Sequence, residues 1–255
     1  MKMSITGIVQ ARMNSIRLPG KVFAIIEGKP LIWHIINRIK RSRSIEKIIV
    51  ATTVNKADDV LQEWSREQGI SCFRGDEHNV LERFYFAAIA HKADIIVRIT
   101  SDDPFKDPEL TDKAVEILIN EDLDFVYNNN PPTYPEGLDT EVFTFDALER
   151  AYRSATDSFE LEHVTQHLYR HPQTFSQKNF GYCENLSHLR WTIDQEKDLE
   201  MARMVYKYLY RENDVFLMQD ILDLLRREPW IAKINIGVER SSMYKNIGGS
   251  DGKIR

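Results

Sequence analysis

The first 130 residues of the chain alternate between two kinds of hydrophobic pattern. Short apolar runs typical of buried strands cover residues 4–10, 47–51, 70–73, 94–100 and 124–127. Segments with apolar residues at helical spacing separate them, over residues 30–43, 58–68, 79–91 and 108–120. Because strands that alternate with such helices pair in parallel through right-handed crossovers, the pattern predicts a Rossmann-like α/β fold, with one mostly parallel sheet flanked by helices.

The second half of the sequence is less regular. Three asparagines, three prolines and a glycine make residues 128–137 (NNNPPTYPEG) a loop. Beyond it the sequence predicts strands at 141–145, 174–182 and 188–193, and helices at 146–154, 158–171, 196–210 and 216–227. Ser158 is the expected N-cap of its helix. We expect one domain over residues 1–245, with a small hairpin region in its second half, and a flexible tail at 246–255.

Charge is spread unevenly along the chain. Residues 1–50 hold ten Lys and Arg but two Asp and Glu, whereas the whole chain carries a net charge of −5. A basic start on an acidic protein indicates an anionic ligand near the N-terminus. These basic residues form neither an extended stripe interleaved with aromatics nor an amphipathic anchor, so no nucleic acid and no membrane are expected as partners.

The sequence also indicates where the protein works. No apolar run approaches the roughly 20 residues that cross a bilayer, and the N-terminal segment lacks the apolar core of a secretory signal. Two cysteines are too few for a disulfide scaffold or a cysteine-built zinc site. We therefore expect a cytoplasmic protein.

A basic loop directly follows the first predicted strand. It reads QARMNSIRLPGK and places Arg12, Arg17 and Lys21 together, with Ser15 between them. Three cations and turning backbone amides can cradle an anion of high charge density, such as a triphosphate. The chain contains neither GxxxxGK[ST] nor GxGxxG, so a Walker-type loop and a dinucleotide fingerprint are both absent from the sequence. A solvated basic loop is the alternative.

The segment Arg-x-x-Ser-x-Arg-Leu-Pro-x-Lys resembles the signature loop of the cytidylyltransferases that activate acidic sugars, the 3-deoxy-manno-octulosonate and acylneuraminate enzymes. It is most similar to their relatives named after spore-coat polysaccharide biosynthesis. The resemblance covers about residue 4 to residue 210. Five further blocks follow in the family's order: FRGDEHNVLERF, VRITSDDP, EGLDTEV, ELEHVT and WTIDQEKDL.

The resemblance implies a nucleotidyltransferase fold of the GT-A-like type. Residues 1–130 would form its nucleotide-binding half and residues 131–245 its acceptor-binding and dimerisation half, in a homodimer. The implied reaction joins CTP to a small sugar or acidic metabolite, giving a CMP-activated product and pyrophosphate. Such a product would serve surface polysaccharide or glycan biosynthesis.

The resemblance also implies roles for individual residues. Arg12 and Lys21 would hold the β- and γ-phosphates, and they count with Asp102 as catalytic. Ser15 and Arg17 would support the loop. Backbone groups of Val9, Gln10 and Ala11 would read the base, and Arg74 and Ser101 would also contact the nucleotide. For Arg74 and Arg83, surface pairing with the acids between them is an equally good interpretation.

Two distant aspartates are the implied metal ligands. Asp102 follows the fourth predicted strand and Asp194 follows a much later one. The family pattern assigns both to Mg²⁺, a hard cation that prefers oxygen ligands, although spacing alone does not pair them and both could be helix N-caps. The family usually has Gly-Asp-x-Pro where this chain has Ser101, which narrows the clearance for the nucleotide. Asp103 adds a second negative charge there.

The acceptor site is expected in the second half, from Asp139, Glu141, Glu160 and His163. Glu160, His163, His167 and His171 share one face of the predicted helix, but along a continuous helix the four spread too far apart to share one ion. His163 and His167 alone could share a metal, which is the less favoured alternative. We therefore expect His167 and His171 to be structural or exposed.

Two other functions stay open at this stage. One is a glycosyltransferase with a related GT-A-like fold, in which Asp102 and Asp103 replace an Asp-x-Asp metal motif, although the spacing is wrong by one residue. The other is a nucleotide-binding homologue without chemistry. The full basic loop together with both acidic sites argues against the second.

Overall fold

The computed structural model describes residues 3–238, so the tail predicted at 246–255 lies outside the described residues. The strands are β1 (Ile5–Gln10), β2 (Ile25–Ile26), β3 (Lys29–Pro30), β4 (Lys47–Thr53), β5 (Ser71–Gly75), β6 (Ile95–Thr100), β7 (Phe125–Tyr127), β8 (Glu141–Thr144) and β9 (Gln177–Asn179). The α-helices are α1 (Leu31–Ile39), α2 (Asp59–Glu67), α3 (Val80–His91), α4 (Pro108–Asn120), α5 (Phe145–Ser154), α6 (Ser158–Glu162), α7 (Gln166–Arg170), α8 (Glu196–Leu209) and α9 (Met218–Arg227).

Seven strands form one mixed sheet in the order β5-β4-β1-β6-β8-β7-β9. The first four of these are parallel to one another, whereas β8 runs antiparallel to both β6 and β7. The prediction of a mostly parallel sheet flanked by helices is confirmed. The carboxyl ends of β1 and β6 meet in register at Gln10 and Thr100. Because β8 is reversed, its first residue, Glu141, reaches the same edge.

The central strands are buried on both faces. Successive residues of β1 face opposite sides, so Val9 belongs to a cluster packed by α1, α4 and α8, while Ile8 belongs to a cluster packed by α3 and α5. Burial on both faces explains why these strands read as continuous apolar runs. Within residues 3–238, no helix has the length and apolarity that a membrane span requires.

The second half departs from the predictions in three places. The helix predicted over 158–171 is two short helices, α6 and α7, and its N-cap is Asp157 rather than Ser158. The break falls at the β-branched pair Val164 and Thr165, which suit helices poorly.

The strand predicted over 174–182 shortens to β9. Residues 188–193 contribute a single bridge, between Glu136 and Arg190, instead of a strand. The small β2–β3 hairpin was not predicted, because its strands are only two residues long.

Candidate active site

A cavity of about 570 Å³ opens at the carboxyl edge of the sheet, where ligands of open α/β folds bind. The loop after β1 lines one side of it through Gln10, Ala11, Arg12, Ser15, Arg17 and Lys21. Facing residues from later in the chain include Ser101, Asp102, Asp139, Glu141, His163 and Asp194. The structure therefore gathers twelve of the predicted site residues around one space.

Backbone hydrogen bonds shape the loop that follows β1. The Ala11 amide donates to Ala51 O (3.1 Å), and the Met13 amide donates to Asp58 Oδ1 (2.7 Å). Gly20 has a φ of 72° and donates to Met13 O at 2.9 Å, which closes the loop. A left-handed residue at this point favours glycine. The closed loop turns Lys21 back toward the sheet edge.

Lys21 connects the loop to both predicted metal ligands. Its ammonium lies 3.0 Å from Asp102 Oδ2 and 2.9 Å from Asp194 Oδ1. It also donates to the carbonyl oxygen of Ile193 at 2.7 Å. Three oxygen acceptors therefore converge on one positive charge at the floor of the cavity.

A backbone contact explains how Asp102 and Asp194 meet. The Ile193 amide donates to Asp102 O at 2.8 Å, so the late segment lies directly against the turn after β6. Neither aspartate is a helix N-cap: Asp107 caps α4 and Gln195 precedes α8. The capping alternative is therefore wrong for both residues.

A buried ionic network orients the Asp194 carboxylate. Arg190 Nη2 lies 2.9 Å from Asp194 Oδ2, and the same guanidinium pairs with Asp198 (3.0 Å) and Glu136 (2.9 Å). Asp198 Oδ2 in turn accepts from the Asp194 amide at 3.0 Å. Charged groups buried with several hydrogen-bonding partners have little freedom to move. The network thus holds one oxygen of Asp194 and aims the other at Lys21.

The local charges shift the pKa values of these groups. Although burial opposes its charge, the Asp102 and Asp194 carboxylates raise the pKa of Lys21. Burial favours the neutral acid at Asp102, but the neighbouring Lys21 outweighs it and lowers the pKa of that carboxyl. Burial raises the pKa of Asp103, which pairs with Lys106 at 2.8 Å. Lys21 therefore favours the ionised form of Asp102, whereas burial disfavours that of the adjacent Asp103.

The donor set fits a hard divalent cation. Two carboxylates already surround one positive charge, and oxygen is the ligand atom that Mg²⁺ prefers. Arg17 Nη2 also reaches Asp194 Oδ1, at 2.8 Å. A metal at Asp102 and Asp194 therefore requires Lys21 and Arg17 to turn away toward another anion. Arg17 is 46% exposed on its loop and has the freedom to do this.

A second network of charged side chains lines the same cavity. Arg98 pairs with Glu141 and donates to Gln10 Oε1 at 3.1 Å. The Glu141 carboxylate also accepts hydrogen bonds from Thr165 Oγ1 and Tyr169 OH, each at 2.9 Å. Burial acts against ionisation of Glu141, but Arg98 prevails and lowers the pKa. This network gives the cavity a fixed polar wall.

Glu160, Val9 and Arg74 lie outside the cavity, which corrects three predictions. Glu160 faces His167 and Arg170 because the helix breaks after Glu162. Val9 is fully buried within the sheet, paired on both sides. Arg74 donates to the carbonyl oxygens of Thr53 and Asn55, each at 2.8 Å, and pairs with Asp59. These bonds turn its guanidinium toward α2.

Arg83, one of the two arginines weighed for nucleotide contact, lies in the cavity wall, whereas Gln166 was not singled out from the sequence. Arg83 is 3% exposed, and its Nε has no hydrogen-bond partner among the described residues. Burial, with Arg12 nearby, lowers its pKa to about 10. Gln166 is also buried in the wall, with an unpartnered Oε1. Arg83 lies within the FRGDEHNVLERF block and Gln166 directly follows the ELEHVT block. No spacing rule alone places either residue at the cavity.

The comparisons with known proteins agree with this geometry. A family model described as Cytidylyltransferase matches residues 6–223. The spore coat polysaccharide biosynthesis protein SpsF of Bacillus subtilis is 32% identical, over 87% of this chain and 94% of its own length. An uncharacterized protein of Methanocaldococcus jannaschii is 38% identical, over 96% of this chain and 99% of its own.

A solved structure of a cytidylyltransferase has the same fold as this chain. A cytidylyltransferase from Leptospira borgpetersenii superposes with a TM-score of 0.87 and 28% identity, over 94% of this chain and all of that one. The family match covers the basic loop, both aspartates and the polar wall. The chain is therefore a nucleotidyltransferase and belongs to the cytidylyltransferase family.

Proposed function

We propose that the protein uses CTP and Mg²⁺ to transfer a CMP group to a small sugar or acidic metabolite. The observation that carries the proposal is the convergence of Lys21 on Asp102 and Asp194 at the carboxyl edge of the sheet. One loop supplies the cations for a triphosphate, and two later segments supply the oxygen ligands for its counterion. The relative SpsF, named for spore coat polysaccharide biosynthesis, supports a sugar as the acceptor.

Arg12 and Lys21 hold the β- and γ-phosphates in this proposal. Arg17 and Ser15 complete the anion-binding loop, with the backbone of Gln10 and Ala11 near the base. When CTP arrives, Lys21 and Arg17 leave the Asp194 carboxylate for the phosphates, because a polyphosphate offers them more negative charge. Asp102 and Asp194 would hold Mg²⁺, which would neutralise charge on the α-phosphate and the departing pyrophosphate.

The reaction is an in-line displacement. An oxygen of the acceptor forms a bond to the α-phosphorus as the bond to the pyrophosphate oxygen breaks. Positioning and charge neutralisation carry the catalysis, so no covalent protein intermediate is needed. Burial lowers the pKa of His163, so its imidazole is neutral at pH 7 and offers a nitrogen to an acceptor hydroxyl. Asp139 and Glu141 complete the acceptor wall.

Pyrophosphate release tests the proposal. The purified protein is incubated with Mg²⁺, each of the four nucleoside triphosphates, and a panel of sugar acids, neutral sugars and sugar phosphates. We expect release with CTP and one class of acceptor. Lys21→Ala should lower its rate by about 10²–10³, whereas Lys40→Ala, at an exposed lysine on the end of α1, should leave the rate unchanged. Release with a purine nucleotide in place of CTP, or equal activity in the two variants, would overturn the proposal.

A further inference from the structure

The break between α6 and α7 brings together three side chains that a continuous helix would separate. Glu160 lies on α6, His167 lies on α7, and His171 ends α7. Ligand atoms of the three residues all lie within 4.8 Å of one another. The geometric objection to a shared ion, which assumes one straight helix over residues 158–171, therefore does not apply to the folded chain.

Hydrogen bonds hold both histidine rings, and the bond made by His171 matches those found in metal centres. His171 Nδ1 lies 2.8 Å from His167 O. A carbonyl oxygen only accepts, so Nδ1 carries the hydrogen and Nε2 keeps its lone pair. Donation of one ring nitrogen to a backbone carbonyl is the arrangement that orients metal-binding histidines. The rings of His167 and His171 lie with their centroids 4.1 Å apart, at the i, i+4 spacing of a chelating pair.

The Glu160 carboxylate is placed to join them. Its Oε2 lies 2.7 Å from His167 Nδ1, where one proton is shared between the two groups. A cation that replaces this proton binds both. Arg170 approaches Glu160 Oε1 at 3.4 Å and also pairs with Asp157, so the carboxylate is oriented from its far side. Oriented carboxylates of this kind recur around metal ions.

Burial gives the cluster a closed side and an open side. Glu160 and His167 are 6% and 7% exposed, whereas His171 is exposed to solvent. Water can reach the cluster past His171 and provide the fourth ligand that a three-residue site requires. The cluster shares no residue with the cavity lining.

We propose that Glu160, His167 and His171 form a site for a transition-metal cation of the Zn²⁺ type, separate from the Asp102–Asp194 pair. Two imidazoles and one carboxylate select such a cation over Mg²⁺, which prefers oxygen ligands alone. The site joins α6 to α7 across the break. Because His163 and Gln166 lie in and just after that break and line the cavity, a bound ion fixes the acceptor wall.

Titration of the full-length protein with Co²⁺ and Zn²⁺ tests the site. The protein is first stripped with a chelator and carries Cys183→Ser, since that exposed thiol also binds these metals. We expect one Co²⁺ per chain with visible d–d absorption, displaced by Zn²⁺. Zn²⁺ at roughly a hundred times its Kd should raise the Tm by about 5–10 °C.

Two matched variants decide the outcome. His171→Ala removes an exposed ligand and should weaken binding by at least about tenfold, with loss of the Tm shift. His188→Ala changes an exposed histidine outside the cluster and should behave as the parent. Zn²⁺ should also slow hydrogen exchange over residues 158–171 in the parent but not in His171→Ala. No stoichiometric binding, or equal binding in both variants, overturns the proposal.

Discussion

Lys21 Nζ lies 2.9 Å from Asp194 Oδ1, although 173 positions separate the two residues in the chain. The contact joins the basic loop after β1 to the segment before α8, and Asp102 completes it from the turn after β6. The same ammonium that is proposed to hold phosphate is therefore a counterion of both proposed metal ligands. In the proposed reaction, Lys21 and Mg²⁺ would therefore compete for the same two carboxylates.

Loss of Lys21 should separate its two roles. Lys21→Ala removes a positive charge that stabilises the negative charge developing on the departing pyrophosphate. We therefore expect kcat to fall by about 10²–10³. Mg²⁺ alone should bind the variant more tightly than the parent, because no ammonium competes for Asp102 and Asp194. Steady-state kinetics and Mg²⁺-dependent Tm shifts measure the two effects. Weaker Mg²⁺ binding in the variant would contradict the proposed competition.

Gly137 should be intolerant of any side chain. Its φ is +103°, and a Cβ there would lie 2.8 Å from the Thr192 amide nitrogen and from the Trp191 carbonyl carbon. Gly137→Ala should lower the free energy of unfolding by about 2–3 kcal/mol and displace the segment that leads to Asp194, with a loss of kcat.

Gly28 is the matched control for this clash. It has a φ of +74°, and a Cβ there would meet nothing within 4 Å. Gly28→Ala should cost only the left-handed strain, about 1 kcal/mol, and leave kcat unchanged. Urea unfolding and kinetics of the two variants separate backbone strain from the clash. If both variants lost the same free energy of unfolding, the close contact of residue 137 with residues 191–192 would not contribute to the effect.

The sheet and the basic loop could be predicted because their signals are local. Apolar runs identify β1 and β6, and the parallel order of strands places the following loops at one edge. The pairing of Asp102 with Asp194 came from the family resemblance, since no periodicity connects two loops so far apart. Capping was a reasonable alternative for each aspartate taken separately, and it is excluded because Asp107 and Gln195 hold the N-cap positions of α4 and α8.

The segment 158–171 shows why the rest could not be predicted. Glu160, His163, His167 and His171 fit helical spacing, so the pattern favours one helix. The break depends on tertiary contacts: Thr165 and Tyr169 both donate to Glu141 on a distant strand. Such tertiary contacts override the weak local preference of residues 158–171 for one continuous helix. They also decide that His163 faces the cavity while Glu160 turns to the other side.

The two arginines of the FRGDEHNVLERF block should differ in their effect on nucleotide binding. Arg83 is buried in the cavity wall with an unpartnered Nε, whereas Arg74 is bonded to Thr53, Asn55 and Asp59. Arg83→Met should weaken CTP binding by about tenfold or more, since a hydrogen bond from a charged donor contributes about 1.5–3 kcal/mol. Arg74→Met should leave the Kd for CTP within about twofold of the parent value. Calorimetry on folded variants measures both, and the reverse ranking would restore Arg74 to the site.

The Arg98–Glu141 pair should make stability depend on acid pH. The pKa of Glu141 is lowered from its ordinary value of 4.5, with Arg98 overcoming the effect of burial. A carboxyl whose pKa is lower in the folded chain than in the unfolded one stabilises the fold fully above the unfolded value. That contribution disappears as the pH falls through the folded value. Glu141→Gln should therefore cost about 3–5 kcal/mol at pH 7, because it removes the carboxylate charge that pairs with Arg98.

The cost of Glu141→Gln should shrink as the pH falls from 4.5 through the lower pKa of the folded chain, since protonation then removes the same charge from the parent. Urea unfolding of parent and variant at pH 7 and at successively lower pH measures the gap. Glu162→Gln is the control, because Glu162 is an exposed acid on the same cavity and lies close to His163. Its difference from the parent should be small at every pH. A gap for Glu141→Gln that stays constant down to acid pH would mean that Glu141 contributes through its shape and hydrogen bonds from Thr165 and Tyr169 rather than through its charge.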